Sequence, residues 1–488
     1  MNGLSAIDVT ALLAAMLVVT IIGRALAGRV NTRRDFFEAG GSLPWWAVSS
    51  SIIATVVSSV TFISVPAAVF RDGGNLGYIQ VLLGLMFGKL LTAWVFTRPY
   101  YLSSGVRTTY DYIGARVHPR VGRFSLGLGM ALSVVNTAVK VLTTGLVLSV
   151  VTDWSLAVCV FWVVLFAILW SAIAGLKTVI WTDFLLFVIF TGGAVFSISW
   201  TSGQLEMSFG EAFARLDEAA KLTLFDLSLD PGKTYTLWAG LIGGSLLSLA
   251  MAGSQGTMQR IRACRSPEDA RKAYVLSALF YLTPICMLGV GLVLTLFYQE
   301  HPMSSELTAS LVSEPDRIFP YFIATEIPTG FSAIFIGAIF AAGISTLDTS
   351  LTEMADITIT NIYEPRTPGR SEAHYLLASR LSLFGWGALY GGVALFFSRF
   401  SAEGLLDLTF KLPNYLNGAL LGTILLARLG IGDVRTYVSG FVAAAVTVAW
   451  MSYSGVGFFW WCPGSALVMI VVVAGIQRKP IEPSGLAL

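Results

Sequence analysis

Two stretches of this sequence gather oxygen-bearing side chains inside apolar surroundings, where polar groups are costly and therefore informative. The first reads PWWAVSSSIIATVVSSVTFISVPAAVF and sets Ser49, Ser50, Ser51, Thr55, Ser58, Ser59, Thr61 and Ser64 around a β-branched core, with Pro66 following. Such a run disfavours one continuous helix, so a break near Val57 and Ser58 is expected, freeing backbone carbonyls within the membrane. A bound cation is the natural user of those carbonyls. Close helix packing through small hydroxyl residues is the other reading. The second stretch, AIFAAGISTLDTSLTEMADI, puts Ser345, Asp348, Thr349 and Thr352 at i, i+3, i+4 and i+7, one helical face bordered by Ala342 and Thr346. Hydroxyl and carbonyl oxygens are hard ligands that suit Na+, and a hydroxyl cage makes a poor proton carrier at neutral pH.

Lys89, Lys140, Asp183 and Asp348 also fall at depth, with Lys411 nearer one end of its own apolar stretch. A charge left unpaired at the bilayer centre costs roughly 2.5 to 3.5 kcal/mol, so each needs a partner, an ion or water. Lys89 reads as a structural tether. Asp183 reads either as a cation ligand or as a partner of Lys177. Lys140 shares a helical face with Asn136 and has three readings: a group that pairs with an anionic solute, a permanently paired side chain, or a fixed charge standing in for a cation.

The elements that must hold these residues follow from composition. Of 488 residues, 55% are hydrophobic and 12% charged, with a mean hydropathy of +0.74, which excludes an ordinary soluble protein. About thirteen apolar stretches of roughly 20 residues fit the length as one all-α polytopic membrane domain. They are expected at 7 to 27, 44 to 70, 76 to 101, 122 to 151, 154 to 175, 178 to 201, 234 to 257, 272 to 298, 328 to 355, 374 to 398, 404 to 427, 435 to 453 and 457 to 477. Most of the 31 basic residues fall in one set of alternate loops, among them Arg29, Arg33, Arg34, Arg260, Arg262, Arg478 and Lys479. The positive-inside rule then puts the N-terminus outside and the C-terminus in the cytoplasm of a cell that carries the protein in its plasma (inner) membrane. The long acidic segments at about 203 to 233 and 299 to 327 would lie outside and hold short surface helices.

A net charge of +2 gives no reason to expect nucleic acid as a partner. Four cysteines without CxxC spacing suggest neither a zinc site nor a disulfide framework. No nucleophile and base pair, metal cluster or phosphate loop marks an enzyme.

The chain resembles the sodium:solute symporter family, which includes sodium-coupled glucose, proline, sialic acid, iodide and monocarboxylate transporters. The matching residues are DFFEAGGSLPWW from Asp35, the serine-rich stretch after it, GLKTVIWTDF from Gly175, QGTMQR from Gln255 and AAGISTLDTSL from Ala341. They run in the family's order over nearly the whole chain. The resemblance implies a leucine-transporter-type core of two inverted five-helix repeats at 44–202 and 234–428. These are flanked by a first helix and loop at 1–43, an extracytoplasmic loop at 203–233 and two further helices with a short tail at 429–488. It implies one Na+ held by the backbone carbonyls of Ala54, Val57 and Ala342 and the hydroxyls of Ser345 and Thr346. A second Na+, present in some members, would match Asp183, Ser345, Asp348 and Thr349, where Asp348 replaces a hydroxyl of some relatives. Positions matching Ser58, Thr61 and Gln80 line the solute pocket in the sialic acid branch. The arginine that pairs with the solute carboxylate there aligns with Asn136, and Lys140 one turn on would restore the charge. The expected activity is Na+-coupled import of a carboxylate or sugar acid, with solute, Na+ and lipid bilayer as partners. A neutral-sugar symporter and a membrane sensor built on the same fold are the alternatives.

Overall fold

The computed structural model describes residues 33–476 except 55, 104, 105, 153, 329 and 400–404, together with 17, 18, 21, 22 and 25. The expected first span at 7 to 27 therefore lies largely outside the described residues, as do Arg29, Arg478 and Lys479. Within them every named element is a helix, and one isolated bridge joins Leu43 to Cys264.

The serine-rich stretch forms two helices, α1 (Trp45–Ala54) and α2 (Ser59–Phe70), bent by 56° at the expected break. Next come α3 (Ile79–Val95), α4 (Pro119–Thr152), α5 (Leu156–Ala174) and α6 (Leu176–Gly203). Gly175, at φ 71°, makes the one-residue reversal between α5 and α6, a conformation that glycine adopts without steric cost. The expected span at 234 to 257 is a π-helical turn, Ala239–Gly244, running into α7 (Ser245–Met251), then a break before the short α8 (Gln255–Ala263). That expected at 272 to 298 is two helices, α9 (Pro267–Leu279) and α10 (Leu282–Glu300). Pro284 in the first turn of α10 lacks the N–H that would bond back to Phe280, so the ladder is interrupted there. The remaining long helices are α11 (Phe331–Ile357), α12 (Glu372–Phe397), α13 (Leu405–Leu429), α14 (Val434–Tyr453) and α15 (Trp461–Ile476).

Among the described residues eight helical segments are long and apolar enough to cross a membrane, or nine if α1 and α2 form one broken span. This is fewer than the thirteen expected. One expected span falls outside the described residues, the fully described part of α5 (Leu156–Ala172) and the Ala239–Met251 segment are too short, and α13 carries Asp407, Lys411, Asn414 and Asn417 on its way through the bundle. Between spans, Phe209–Glu218 is a short helix capped reciprocally by Ser208 and Glu211, and Ser305–Ser313 is capped by Ser304.

Two close approaches fix the helices around the break. A Cβ on Gly84 of α3 would stand 1.9 Å from the carbonyl oxygen of Gly240, and one on Gly88 would meet Ser245 and Ser248 of α7 at 2.4 Å. On the opposite side, a Cβ on Gly343 of α11 would fall 2.2 Å from the Thr144 hydroxyl of α4. These glycines let backbone meet its neighbour directly, the small-residue packing that substitutes for a hydrophobic driving force in lipid.

Candidate functional site

At the break, Val56 and Val57 donate backbone hydrogen bonds to Ile53, and Ser58 donates to Val56, so the chain turns without continuing the helical ladder. No described backbone N–H reaches the carbonyl of Ala54 or Val57. In a region closed to bulk water such free carbonyls need another partner. Ser345 and Thr346 approach from α11. Thr346 lines the cavity described below, and its hydroxyl donates to no described residue. Ser59 and Thr144 share a hydrogen bond of 2.9 Å, which ties the start of α2 to α4. The donor set, free carbonyls plus hydroxyls, is of the hard-oxygen kind that fits Na+.

Asp183 of α6, which is 2% exposed, gathers both elements of the site. Ser51 donates to its Oδ2 at 2.5 Å and Ser345 donates to its Oδ1. Arg260 of α8 stands 3.8 Å from the same carboxylate, donates to Ser51 at 3.1 Å and to Thr349 at 3.2 Å, and lies 4.0 Å from Glu353. The cation beside Asp183 and Thr349 is thus a guanidinium, not Lys177. The carboxylate of Asp348, one turn along α11 from Ser345, is fully buried. Thr352 donates weakly to its Oδ1 at 3.4 Å, and Oδ2 has no hydrogen-bond partner among the described residues.

A cavity of about 180 Å³ opens next to the break. Ser58, Thr61, Asn136, Lys140, Thr346 and Thr349 line it, so α2, α4 and α11 contribute to one space. Lys89 and Arg260 line it too, with Tyr110, Tyr274 and Glu353 toward the α8 end. Toward the 203–233 end it meets Tyr78 and Phe410, whose rings are 6.1 Å apart. Gln80 is not among its walls. Its amide donates to the carbonyls of Gly77 and Tyr235 and accepts from Asp226 N–H, and the side chain is buried. It fastens the 203–233 segment to α3. Tyr235 in turn donates to Asp407 of α13, closing the same end.

Arg260, Glu353 and Asp356 are the residues that sequence reasoning did not assign. Asp356 accepts from Gln255 at 2.7 Å and from Gln259 at 3.0 Å, so the short polar α8 is held against the end of α11 by buried carboxylates. QGTMQR was the available signal, since two glutamines and an arginine within a six-residue run had no solvated role once α8 turned inward.

The family profile described as "SSF: Sodium:solute symporter family" matches residues 36–428. The chain belongs to the sodium:solute symporter family. It is 25% identical over 414 residues to the human sodium/iodide cotransporter, 83% of this chain and 62% of that one, so it spans less than two thirds of that relative's length. It is 26% identical over 490 residues to the sodium/sialic acid symporter NanT of Aliivibrio fischeri, 98% of this chain and 93% of the other. Among solved structures it superposes on a substrate-bound, outward-open Na+-coupled sialic acid symporter with a TM-score of 0.84, over 98% of this chain and 100% of that one. Sequence identity there is 21%, so the likeness establishes the fold, an all-helical leucine-transporter-type membrane architecture.

Proposed function

We propose that the protein is a sodium-coupled symporter that imports a small organic anion across the plasma membrane, with its N-terminus outside and its C-terminus in the cytoplasm. The observation that carries this reading is the pair of carbonyls at the α1–α2 break that no described backbone N–H reaches, set beside α11 hydroxyls and a cavity lined by Lys140. Na+ held by Ala54, Val57, Ala342, Ser345 and Thr346 would join the broken helix to α11. Ser58, Thr61, Asn136 and Lys140 would hold the solute, with Lys140 facing its carboxylate. Gln80 serves instead to fasten the outer loop. The repeats are 44–202 and 234–428, and the break belongs to the first helix of the first. Similarity to carriers of iodide and of sialic acid, both anions, supports an anionic solute. A cavity of about 180 Å³ favours a compact one, below the usual 300–1,000 Å³ of drug-sized pockets.

A second cation position at Asp183, Ser345, Asp348 and Thr349 is supported by the buried carboxylate of Asp348, whose Oδ2 has no hydrogen bond of normal length among the described residues. Arg260 already neutralises the Asp183 side of that set. Reversal potentials in proteoliposomes separate the cases: Asp183→Asn should lower the charge moved per solute if a second Na+ binds, and an unchanged ratio means that one Na+ moves.

The reading as a whole is tested by thermal shift of the purified protein against monocarboxylates, sugar acids, sugars and amino acids, each with and without Na+. Stabilisation by a carboxylate that requires Na+ is expected. A neutral sugar as the best ligand, or a solute response indifferent to Na+, would overturn it.

A further inference from the structure

Among the described residues, the charged side chains that line the cavity are Lys89, Lys140, Arg260 and Glu353. Arg260 is engaged outside it: the guanidinium stands 3.8 Å from the carboxylate of Asp183 and donates to Ser51 and Thr349. Glu353 lies 4.0 Å from Arg260 and is the negative charge that faces Lys140. Asp348 is not among the walls. Two carboxylates thus answer Arg260 and Lys140, and the cation left in excess among the described residues is Lys89 of α3.

Lys89 is 5% exposed, and no described residue offers it a hydrogen bond or an ion pair. The Tyr274 ring of α9 lies 5.9 Å from the ammonium, the outer limit of cation–π attraction. Its position is imposed by the backbone. Gly84 and Gly88 press α3 against the Gly240 carbonyl and α7, which fixes the rotation of the helix and turns the next residue toward the cavity. Along α3, Lys89 follows Gln80 by roughly 13 Å of helix, so it stands away from the 203–233 end that Gln80 fastens and at the α8 end, with Tyr274 and Arg260. Lys140 belongs to the level of the break instead: its carbonyl accepts from Thr144 at 2.8 Å, and Thr144 shares a hydrogen bond with Ser59. Lys221 shows how this chain satisfies a buried lysine from within, by donation to the carbonyls of Val69, Phe70 and Arg71 at 2.7 to 3.1 Å. Lys89 has no such acceptors among the described residues. A buried ammonium in that position is strongly disfavoured unless an anion or water completes it.

We propose that the α8 end of the cavity is a site for one small monovalent anion, held by the ammonium of Lys89 and separate from the solute position at the break. One cation in excess is matched by one negative charge, and Glu353 does not supply it, being held between Arg260 and Lys140. An ammonium is a point charge without the planar fork of a guanidinium, so it receives a halide as readily as a carboxylate. Two sources share that chemistry. One is the solute's own carboxylate after it has left the break, which makes Lys89 a station on the path through the protein; this source rests on the reading of the cavity as the solute site. The other is an inorganic anion such as chloride, for which the site stands whether or not that reading does.

The experiment is a thermal-shift titration of the full-length protein with chloride at constant Na+, the bulky anion of HEPES serving as the balancing counter-ion. Wild type should show a saturable rise in melting temperature. Lys89→Gln should raise the half-saturating chloride concentration at least about tenfold, while Lys89→Arg, which keeps the charge, should stay close to wild type. Lys89→Met is the second neutral variant should the glutamine protein not fold. Bromide in a wild-type crystal gives a readout that needs no variant, with anomalous density expected beside the Lys89 ammonium. Acetate then separates the sources: chloride binding that acetate displaces marks a site open to the solute's carboxylate, and chloride binding indifferent to acetate marks an inorganic-anion site, both upholding the proposal. A wild type without a saturable chloride response overturns it, as does a response that the neutral variants retain, or bromide density at Lys140 or Arg260 instead. Na+-dependent stabilisation by butyrate with no chloride response leaves sodium coupling standing and the proposal fallen. Lys89-dependent chloride binding with a butyrate response that is equal in Na+ and K+ does the reverse.

Discussion

Ser345 and Thr346 do different work although they are neighbours on α11. Ser345 donates to Asp183, so it contributes oxygen lone pairs to the break while holding α6 to α11, whereas Thr346 presents its hydroxyl to the cavity. Replacing both by alanine should raise the Na+ concentration needed for half-maximal uptake by at least about tenfold, with protein still recovered from the membrane. Uptake in proteoliposomes over a Na+ series checks this, and an unchanged Na+ dependence would remove both hydroxyls from the ion site. Lys140→Gln should abolish binding of a carboxylate solute while leaving Na+-induced stabilisation in place, measured by thermal shift with each ligand alone. Retained solute affinity would assign Lys140 to a structural pairing. The serine-rich run and the polar face of α11 were legible because hydroxyls inside apolar segments have few alternatives. The environment of Asp183 was not. Its cation comes from Arg260, which sits in a polar run that reads as a basic loop until α8 is seen turned into the bundle. Lys89 reads as a tether from its apolar sequence neighbours alone; in the structure it lines the cavity, with the Tyr274 ring 5.9 Å from its ammonium.

At the scale of elements, the site depends on helices that touch without side chains between them. Gly343 stands next to Ala342, one of the expected Na+ ligands, and leaves room for the Thr144 hydroxyl of α4. Gly343→Ala would place a methyl group 2.2 Å from that hydroxyl and push α11 from α4. Overpacking of this kind costs about 1 to 3 kcal/mol, so the melting temperature should fall and Na+ affinity should weaken together. A variant with unchanged melting temperature and Na+ response would show that α4 and α11 have slack at this point. The sequence marked the break in α1–α2 to within a residue or two, since the run of β-branched and hydroxyl residues there is dense. It did not mark the breaks between α7 and α8 or between α9 and α10. Periodicity runs smoothly across both, and the interruptions come from Pro284 and from the need of α8 to meet Asp356 and Glu353. α13 reads as a span by length, yet its polar residues serve the interior: Asp407 receives Tyr235, and Asn414 donates to the Phe458 carbonyl at 3.0 Å.

For the molecule as a whole, the two ends of the cavity are fastened by different chemistry. At the 203–233 end, Gln80, Tyr235, Asp407 and the cap that Lys221 places on the last carbonyls of α2 tie the loop to the core. At the other, α8 is held by Gln255 and Gln259 on Asp356, and by Arg262, which reaches Glu38 at 3.1 Å and the carbonyls of Ser103 and Val106. Alternating access requires that one set open while the other holds, and Na+ bound at the break, as proposed, would bias that choice through α1, α2 and α11. Linkage then makes the effects reciprocal: if Na+ raises solute affinity by some factor, solute raises Na+ affinity by the same factor. The energetics suffice, since each Na+ entering down 100 mV supplies about 2.3 kcal/mol before any concentration gradient is counted. The central claim is tested most directly by the time course of a labelled compact carboxylate, the one that stabilises the protein best in the thermal-shift series, in sealed proteoliposomes with an inward Na+ gradient or an equal K+ gradient imposed. The account predicts a transient accumulation above the external concentration in Na+ alone, abolished when the gradient is collapsed. Equilibration to the same level under both gradients would contradict it and leave a passive pathway.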